Sequence, residues 1–218
     1  MKKDTLLNIK VPDLEKVKRK LGTLESQASK SMKNAINKTL KETSTLMVKA
    51  VKENYTAKVA DIKKTISIRK SKVKDLSGEV ISKSNKRIPL KGFSTNPSKP
   101  VPLNTKYTKA KVKKKNSRKA LPGKGNKSSA FVAKMSNGHI GVYQRIIGKE
   151  VSKATSRTKN RENSIWAGKE DYAIAELFGM PVPYMIGEKK VAKKIRKEAQ
   201  IFLEKTLDSE IKKIRDKG

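Results

Sequence analysis

Two long apolar stripes with helical spacing lie near the two ends of the chain. Between residues 24 and 55, apolar side chains recur at steps of three and four without Pro or Gly, which predicts one long helix. We expect its buried stripe to comprise Ala28, Met32, Ala35, Ile36, Leu40, Thr43, Met47, Ala50 and Val51. A short helical segment is predicted at 57–64.

A second long helix is predicted over 188–214, where the same period returns. Its first turn contains Glu188, and the helix dipole favours a carboxylate at that end. We expect its buried stripe to comprise Val191, Ile195, Ala199, Phe202, Thr206 or Leu207, Ile211 and Ile214.

Between the helices, the period of the apolar positions falls to two, as in β-strands. The segments "TISIRK" (65–70) and "GEVISKS" (78–84) predict two strands, and weaker alternation at 107–112 predicts a third. This order is typical of an α+β fold, in which the N-terminal and C-terminal helices pack against an antiparallel β-sheet. We expect a single domain over 1–218 with a short N-terminal arm at 1–22.

A β-hairpin is predicted at "AFVAKM" (130–135) and "IGVYQRII" (140–147). Asn137 and Gly138 supply the positive φ angles that a tight turn needs. His139, the only histidine, could be a catalytic group, a metal ligand or a turn residue. The chain has no Cys and no G-x-S-x-G elbow, and carboxylates would have to supply every other metal ligand. We therefore expect a turn residue whose imidazole hydrogen-bonds to loop backbone.

Two segments follow the hairpin before the last helix. Residues 148–172 are polar and irregular, which predicts a charged surface insertion. The segment "AIAELFGMPVPYM" (173–185) predicts an apolar helical turn that ends at Gly179. Its Pro residues predict an extended segment after that glycine.

The charge of the chain is strongly unbalanced. With 54 Lys and Arg against 20 Asp and Glu, the 218 residues carry a net charge of +34, which favours polyanionic partners over a merely solvated lysine surface. Between Val80 and Lys149 there are 18 Lys and Arg and no acid. Within that stretch a basic Pro/Lys-rich loop is predicted at 95–127. Its candidate polyanion-binding residues are Lys106, Lys109, Lys111, Lys113, Lys114, Lys115, Arg118, Lys119, Lys124 and Lys127.

Lysine greatly outnumbers arginine in this loop, and lysine makes diffuse phosphate contacts rather than bidentate base contacts. Any contact with DNA is therefore expected to be independent of sequence and sensitive to salt.

The sequence lacks the residues that several classes of protein function require. There is no Walker A motif, and the absence of Cys excludes disulfides and Cys-based zinc sites. We expect neither an enzyme nor a protein with a cofactor or metal. No apolar run has the length of a signal peptide or a membrane span. With only 35% hydrophobic residues, we expect a modest core and long elements that partners cover.

The segments "AFVAKMSNGHIGVYQR" and "AIAELFGMPVPYM", followed by a closing amphipathic helix, resemble the minor tail protein Z family of long-tailed phages and prophages. "AINKT" (35–39), "YTAKVADIKKTISI" (55–68) and "IPLKGFS" (88–94) are also similar, so the resemblance covers about 24–214. Its most specific residues are Asn137, Gly138, His139, Arg145, Glu176, Leu177, Phe178 and Gly179. The chain departs from the family at 148–172, at Ala173 and at Met180.

The resemblance implies a virion structural and assembly protein that completes the head-proximal end of the tail and supports head–tail joining. It implies tail and neck partners (terminator, tail tube and connector) and a virion assembled in the bacterial cytoplasm. Because the helix stripes are too long for one small core, we also expect a homo-oligomeric ring, and the lack of a long apolar run predicts no membrane partner. The lysine-rich loop would then contact the end of double-stranded DNA. The alternative is a sequence-independent nucleic-acid-binding protein associated with the nucleoid or the ribosome. A hydrolase is the least supported hypothesis, because the sequence shows no arrangement of a nucleophile or a metal site.

Overall fold

The fold is known from a computed structural model. It describes residues 5–9, 25–84, 86–100, 108–125, 127–150 and 172–216. Two compact units are present, one from Met1–Ile88 with Met180–Gly218 and one from Pro89–Gly179. Long helices and antiparallel strands confirm the predicted α+β class, with the strands distributed over three small sheets. The assignment of 1–218 to one domain stays a prediction.

The first unit is built around two long helices. These are α1 (Glu25–Asn54) and α4 (Lys189–Arg215), with two short helices, α2 (Val59–Lys63) and α3 (Val182–Ile186), between them in sequence. Helices α1 and α4 pack against each other and are antiparallel, since Lys38 Nζ lies 2.7 Å from Glu210 Oε1 and Glu53 Oε2 lies 2.6 Å from Lys194 Nζ. All nine residues predicted for the α1 stripe are buried.

The α4 stripe differs from the predicted one. Leu203 is buried while Phe202 and Ile211 are half-buried, and Leu207 rather than Thr206 continues the stripe. The buried positions run Val191, Ile195, Ala199, Leu203, Leu207, Glu210 and Ile214. Steps of four exceed the helical repeat of 3.6, so the stripe drifts around α4 as the helix follows α1.

A three-stranded antiparallel sheet completes the first unit. It consists of β1 (Thr5–Ile9), β2 (Ile66–Arg69) and β3 (Gly78–Ser82), in the order β1-β3-β2, and β2 and β3 contact α1. The predicted strands at 65–70 and 78–84 are therefore confirmed. Strand β1 lies within the predicted arm 1–22, and its adjacent Leu6 and Leu7 break the alternation that would predict it.

Two further antiparallel sheets form the second unit. The first contains β4 (Ser94–Asn96), β5 (Lys109–Lys111) and β6 (Lys119–Ala120), in the order β4-β5-β6. The second contains β7 (Phe131–Lys134), β8 (Ile140–Glu150) and β9 (Tyr172–Glu176), in the order β7-β8-β9. A 3₁₀ turn at Leu90–Gly92 precedes β4. The third predicted strand and the hairpin are thus confirmed as β5 and β7–β8.

Three predicted segments have a different structure. The predicted helical turn at the start of 173–185 is strand β9, because β8 offers it a partner, and a short apolar run does not distinguish helix from strand. The Pro-containing segment after it is helix α3, with Pro183 in the first turn, where proline is tolerated. The basic loop 95–127 contains β5 and β6.

The predicted insertion at 148–172 begins and ends in paired strands. Strand β8 continues through residue 150, and Glu150 lies opposite Tyr172 of β9. Residues 151–171 lie outside the described part of the chain.

Candidate polyanion interface

One face of the β4-β5-β6 sheet carries three cationic side chains. Lys111 lies opposite Ser94, and Lys109 lies opposite Asn96, so both lysines point to the same side of the sheet. Arg118, just before β6, joins this side because its Nη2 atom donates a hydrogen bond to Ser94 Oγ at 3.2 Å. We call Lys109, Lys111 and Arg118 the cationic sheet face.

The opposite face anchors the same sheet. Thr95 and Ala110 lie opposite each other there and are both buried. Among the described residues, the Thr95 hydroxyl has no hydrogen-bond partner. Lys119 is on this side, opposite Ala110, but at the sheet edge it is exposed. The sheet therefore separates Lys119 from the cationic sheet face.

Three further candidate cations lie in one turn. Lys113, Lys114 and Lys115 lie in the loop between β5 and β6, which is tightened by a hydrogen bond from Asn116 N to Lys113 O at 3.2 Å. This loop places them beyond the end of the β5-β6 ladder. Of the ten predicted cations, the structure places Lys109, Lys111 and Arg118 on one sheet face.

Lys124 and Lys127 belong to a separate turn, closed by a hydrogen bond from Lys127 N to Lys124 O at 3.3 Å. Gly125 in this turn has φ 60, a conformation that glycine adopts without steric cost. Lys106 lies outside the described residues.

The predicted hairpin turn is confirmed. Gly138 has φ 82, and its N–H donates to Met135 O at 2.9 Å, while His139 N–H donates to Asn137 Oδ1 at 3.0 Å. The expected contact of the imidazole with loop backbone is wrong. His139 Nε2 lies 2.8 Å from Glu176 Oε1, because β9 pairs with β8 and brings this carboxylate to the turn.

An aromatic pair on the hairpin lies next to Glu176. Tyr143 lies opposite both Phe131 and Glu176 in the ladder, and burial together with the Glu176 charge raises the pKa of the Tyr143 hydroxyl. The Phe131 and Tyr143 ring centroids are 6.3 Å apart, and the Arg145 guanidinium lies 4.7 Å from the Phe131 ring centroid. Arg145 thus packs on the hairpin rather than joining the cationic sheet face.

Leu177, Phe178 and Gly179 connect this sheet to the 3₁₀ turn. Leu177 N–H donates to Val142 O at 2.7 Å, and Leu177 O accepts from Leu90 N at 2.8 Å. Phe178 and Pro89 form an isolated antiparallel β-bridge. A Cβ atom on Gly179 would lie 2.4 Å from the buried Phe93 ring, so a side chain there would collide with it. These contacts make the Glu-Leu-Phe-Gly segment a packing element.

We expect His139→Ala to lower the free energy of unfolding by less than about 1 kcal/mol, because the His139–Glu176 pair is partly exposed and solvent screens it. Chemical denaturation of this variant, of Glu176→Gln and of the double variant measures the pair directly. Gly138→Ala serves as a comparison and should cost about 1 kcal/mol through its positive φ alone. A loss of several kcal/mol on removing His139 would contradict this assignment.

In the described part of the chain, no group of three or more His, Cys, Asp or Glu side chains could hold a metal ion. None of the described helices is long and apolar enough to cross a membrane. Comparisons with protein-family models, with curated proteins and with solved structures give no match.

The polar partners of the cationic sheet face on β4 could not be predicted from the sequence. Ser94 and Asn96 come from a Pro-rich segment that predicts no central strand, and β4 is indeed an edge strand. The "KAK" segment (109–111) did carry a signal, because residues two apart on a strand share a face. Nothing in the sequence pairs Arg118 with Ser94.

Proposed function

We propose that the protein is a structural and assembly protein of a phage or prophage virion. It is a minor tail protein that completes the head-proximal end of the tail and supports head–tail joining. Its partners are the terminator, tail tube and connector proteins, and it works as a homo-oligomeric ring. It is assembled in the cytoplasm of the bacterial host and stays in the virion tail, without enzymatic activity.

The observation that carries this proposal is the pairing of the two segments with the most specific family resemblance. Tyr143 of the Gly-His hairpin lies opposite Glu176 of the Glu-Leu-Phe-Gly segment, and His139 Nε2 contacts the Glu176 carboxylate at 2.8 Å. The next residue, Leu177, donates its backbone N–H to Val142 O of the hairpin. Two motifs that are separate in sequence therefore lie together in one sheet, which supports the interpretation that both belong to the same family pattern.

The cationic sheet face supports a DNA contact as part of this role. Its three cations project from a sheet whose other face buries Thr95 and Ala110, so their backbone positions are fixed before any ligand binds. Lysine ammonium groups act as point charges for phosphate oxygens without selecting bases. A DNA end of any sequence fits such a surface.

Deletion of the gene from the phage or prophage that encodes it tests the assembly role. We expect filled heads and finished tail tubes to accumulate separately, and infectivity to return when the protein is supplied from a plasmid. Mass spectrometry of purified wild-type particles should find the chain in the tail. Normal infectious particles without this chain would refute the proposal.

The triple variant Lys109→Gln, Lys111→Gln, Arg118→Gln tests the DNA contact. We expect only a small downward shift of the thermal unfolding curve, because the exposed Arg118–Ser94 hydrogen bond is lost, together with fewer infectious particles. The slope of log Kobs against log salt for duplex DNA should decrease in magnitude by about 2 to 3, since each phosphate contact contributes about 0.9. The control variant Lys63→Gln, Lys64→Gln, Lys70→Gln removes the same charge from exposed positions of the first unit. Equal losses in both variants would contradict a specific role for the sheet face.

The cationic sheet face alone also favours a second candidate, a sequence-independent nucleic-acid-binding protein of the nucleoid or ribosome. Fractionation of producing cells separates the two candidates. The tail protein sediments with particles and is absent from nucleoid and ribosome fractions, whereas the second candidate follows those fractions.

A further inference from the structure

The first nine residues of α4, 189–197, form a second concentration of positive charge, in the first unit. They contain six cations and no acid. Val191 and Ile195 of this segment are buried, so the opposite side of the helix faces outward. Five exposed cations occupy that side: Lys189, Lys190, Lys193, Arg196 and Lys197. We call these five residues the α4 cationic face.

The sixth cation, Lys194, has acidic partners. Its Nζ atom lies 2.6 Å from Glu53 Oε2 on α1 and 3.9 Å from Glu198 Oε1. No side chain of the α4 cationic face forms a hydrogen bond or ion pair with any residue that the structure describes. Lys194, which joins α4 to α1, therefore has acidic partners, whereas the five cations of the α4 cationic face have none among the described residues.

This arrangement is unfavourable for the protein alone. Like charges three and four residues apart on a helix repel each other, as Lys189, Lys193 and Lys197 do here. The positive end of the helix dipole lies at the same end of α4 and adds to the repulsion. Glu188, the neighbouring acid, accepts a hydrogen bond from Tyr55 Oη at 2.5 Å and forms no side-chain cap on α4. A bound anion would relieve these repulsions.

We infer that the α4 cationic face binds the phosphate backbone of nucleic acid without regard to base sequence, as a site separate from the cationic sheet face. Lys190, Lys193 and Lys197 extend over about 10 Å of helix axis. Duplex DNA presents one phosphate charge per about 1.7 Å of its own axis, so several phosphates lie within reach of these side chains. The inference does not depend on the role of the protein in a phage tail.

The composition of the face favours nucleic acid over an acidic protein. Every exposed position between residues 189 and 197 is a cation, so this segment supplies none of the aromatic or apolar anchors from which protein interfaces draw most of their affinity. The helix is also held in place, since Tyr55–Glu188 and Lys38–Glu210 join α4 to the α1 side at its two ends. The backbone positions of the cations are therefore fixed before the ligand arrives, so only their side chains must be ordered on binding.

The full-length variant Lys190→Gln, Lys193→Gln, Lys197→Gln tests this site. Glutamine keeps the helix propensity of lysine, so the thermal unfolding curve should not shift downward. Fluorescence anisotropy with mixed-sequence duplex DNA at several salt concentrations gives the binding constants. We expect the slope of log Kobs against log salt, which is negative, to decrease in magnitude by about 2 to 3 relative to the wild type.

The matched control is Lys30→Gln, Lys41→Gln, Lys49→Gln, which removes three charges from scattered exposed positions of α1. We expect the magnitude of its slope to change by less than about 1, because these lysines lie about 12 to 16 Å apart along α1, whereas those of the α4 variant lie about 4 to 6 Å apart and form one dense patch. Equal changes in the two variants would show that total charge alone governs binding and would overturn the site. An unchanged slope in the α4 variant, or wild-type binding to an acidic peptide but not to DNA, would overturn it as well.

Discussion

Replacement of Gly78 by alanine is expected to lower the free energy of unfolding by about 1 to 3 kcal/mol, the usual cost of forcing extra volume into a packed core. Gly78 begins β3 where the sheet lies against α1. A Cβ atom there would lie 2.5 Å from Leu40 Cδ1 and 3.2 Å from Ile36 Cγ2, and both of these side chains are fully buried. A shift of either side chain would have to displace other atoms of the packed core, since neither has any exposed surface.

A second substitution shows whether this close approach is the cause. Leu40→Ala alone should cost about 2 to 5 kcal/mol, because it leaves a cavity between α1 and β3. In the double variant the new methyl group at residue 78 enters that cavity. We therefore expect the double variant to be more stable than the sum of the two single effects by about 1 to 2 kcal/mol.

Chemical denaturation of the wild type and the three variants measures this coupling. Gly187→Ala is the control, since Gly187 is exposed and its φ of −75 suits alanine without strain. It should change the free energy of unfolding by less than about 0.5 kcal/mol. Additive costs in the double variant would show that Gly78 and Leu40 do not compete for the same space.

The long helices follow from local information. Helix α1 spans Glu25–Asn54 where the periodic pattern predicts 24–55, and α4 spans Lys189–Arg215 where the pattern predicts 188–214. The pattern predicts the α1 stripe even at Thr43, a polar residue with no exposed surface. The Thr43 hydroxyl donates to Thr39 O at 2.8 Å within the helix, which satisfies it without a partner from elsewhere.

Strand β9 could not be predicted in this way, because its structure depends on a distant partner. The segment "AIAELF" has neither a period of two nor the length of a full helical pattern. Pairing of Gln144 with Ala175 and of Ile146 with Ala173 decides in favour of a strand. The same pairing places Glu176 beside His139, so the partner of the imidazole is as non-local as the strand itself.

Some features of the candidate site can likewise be predicted from local sequence, and others depend on distant parts of the chain. The spacing of Lys109 and Lys111 shows that they share a face if the segment is a strand, and the sequence alone carries that information. The contributions of Arg118 and Ser94 depend on how the chain returns after the loop at 112–118. The α4 cationic face is readable as an acid-free run, but only the burial of Val191 and Ile195 shows which cations face outward.

The Glu210→Gln variant is expected to lower the free energy of unfolding at neutral pH by about 1 to 2 kcal/mol, towards the low end of the range for hydrogen bonds to charged groups. The Glu210 side chain is 9% exposed and accepts from Lys38 Nζ at 2.7 Å and from Lys213 Nζ at 3.0 Å. Both lysines remain more than half exposed, so water can solvate them when the carboxylate is removed.

The loss should depend on pH in a defined direction. The hydrogen bonds from Lys38 and Lys213 hold the pKa of Glu210 below its ordinary value in the folded protein. A carboxyl group with a depressed folded pKa stabilises the protein above its unfolded pKa, near 4.3, and this contribution disappears as the pH falls through the folded pKa. The stability difference between wild type and Glu210→Gln should therefore be constant near neutral pH and should shrink in acid.

Denaturation of both proteins across the acid range measures this difference. Glu204→Gln is the matched control on the same helix, because Glu204 is exposed and so is its hydrogen bond with Gln200. Its loss should stay below about 0.5 kcal/mol at every pH. A Glu210→Gln loss that is independent of pH would contradict the ionic origin of the contact, because an uncharged packing effect has no proton to exchange.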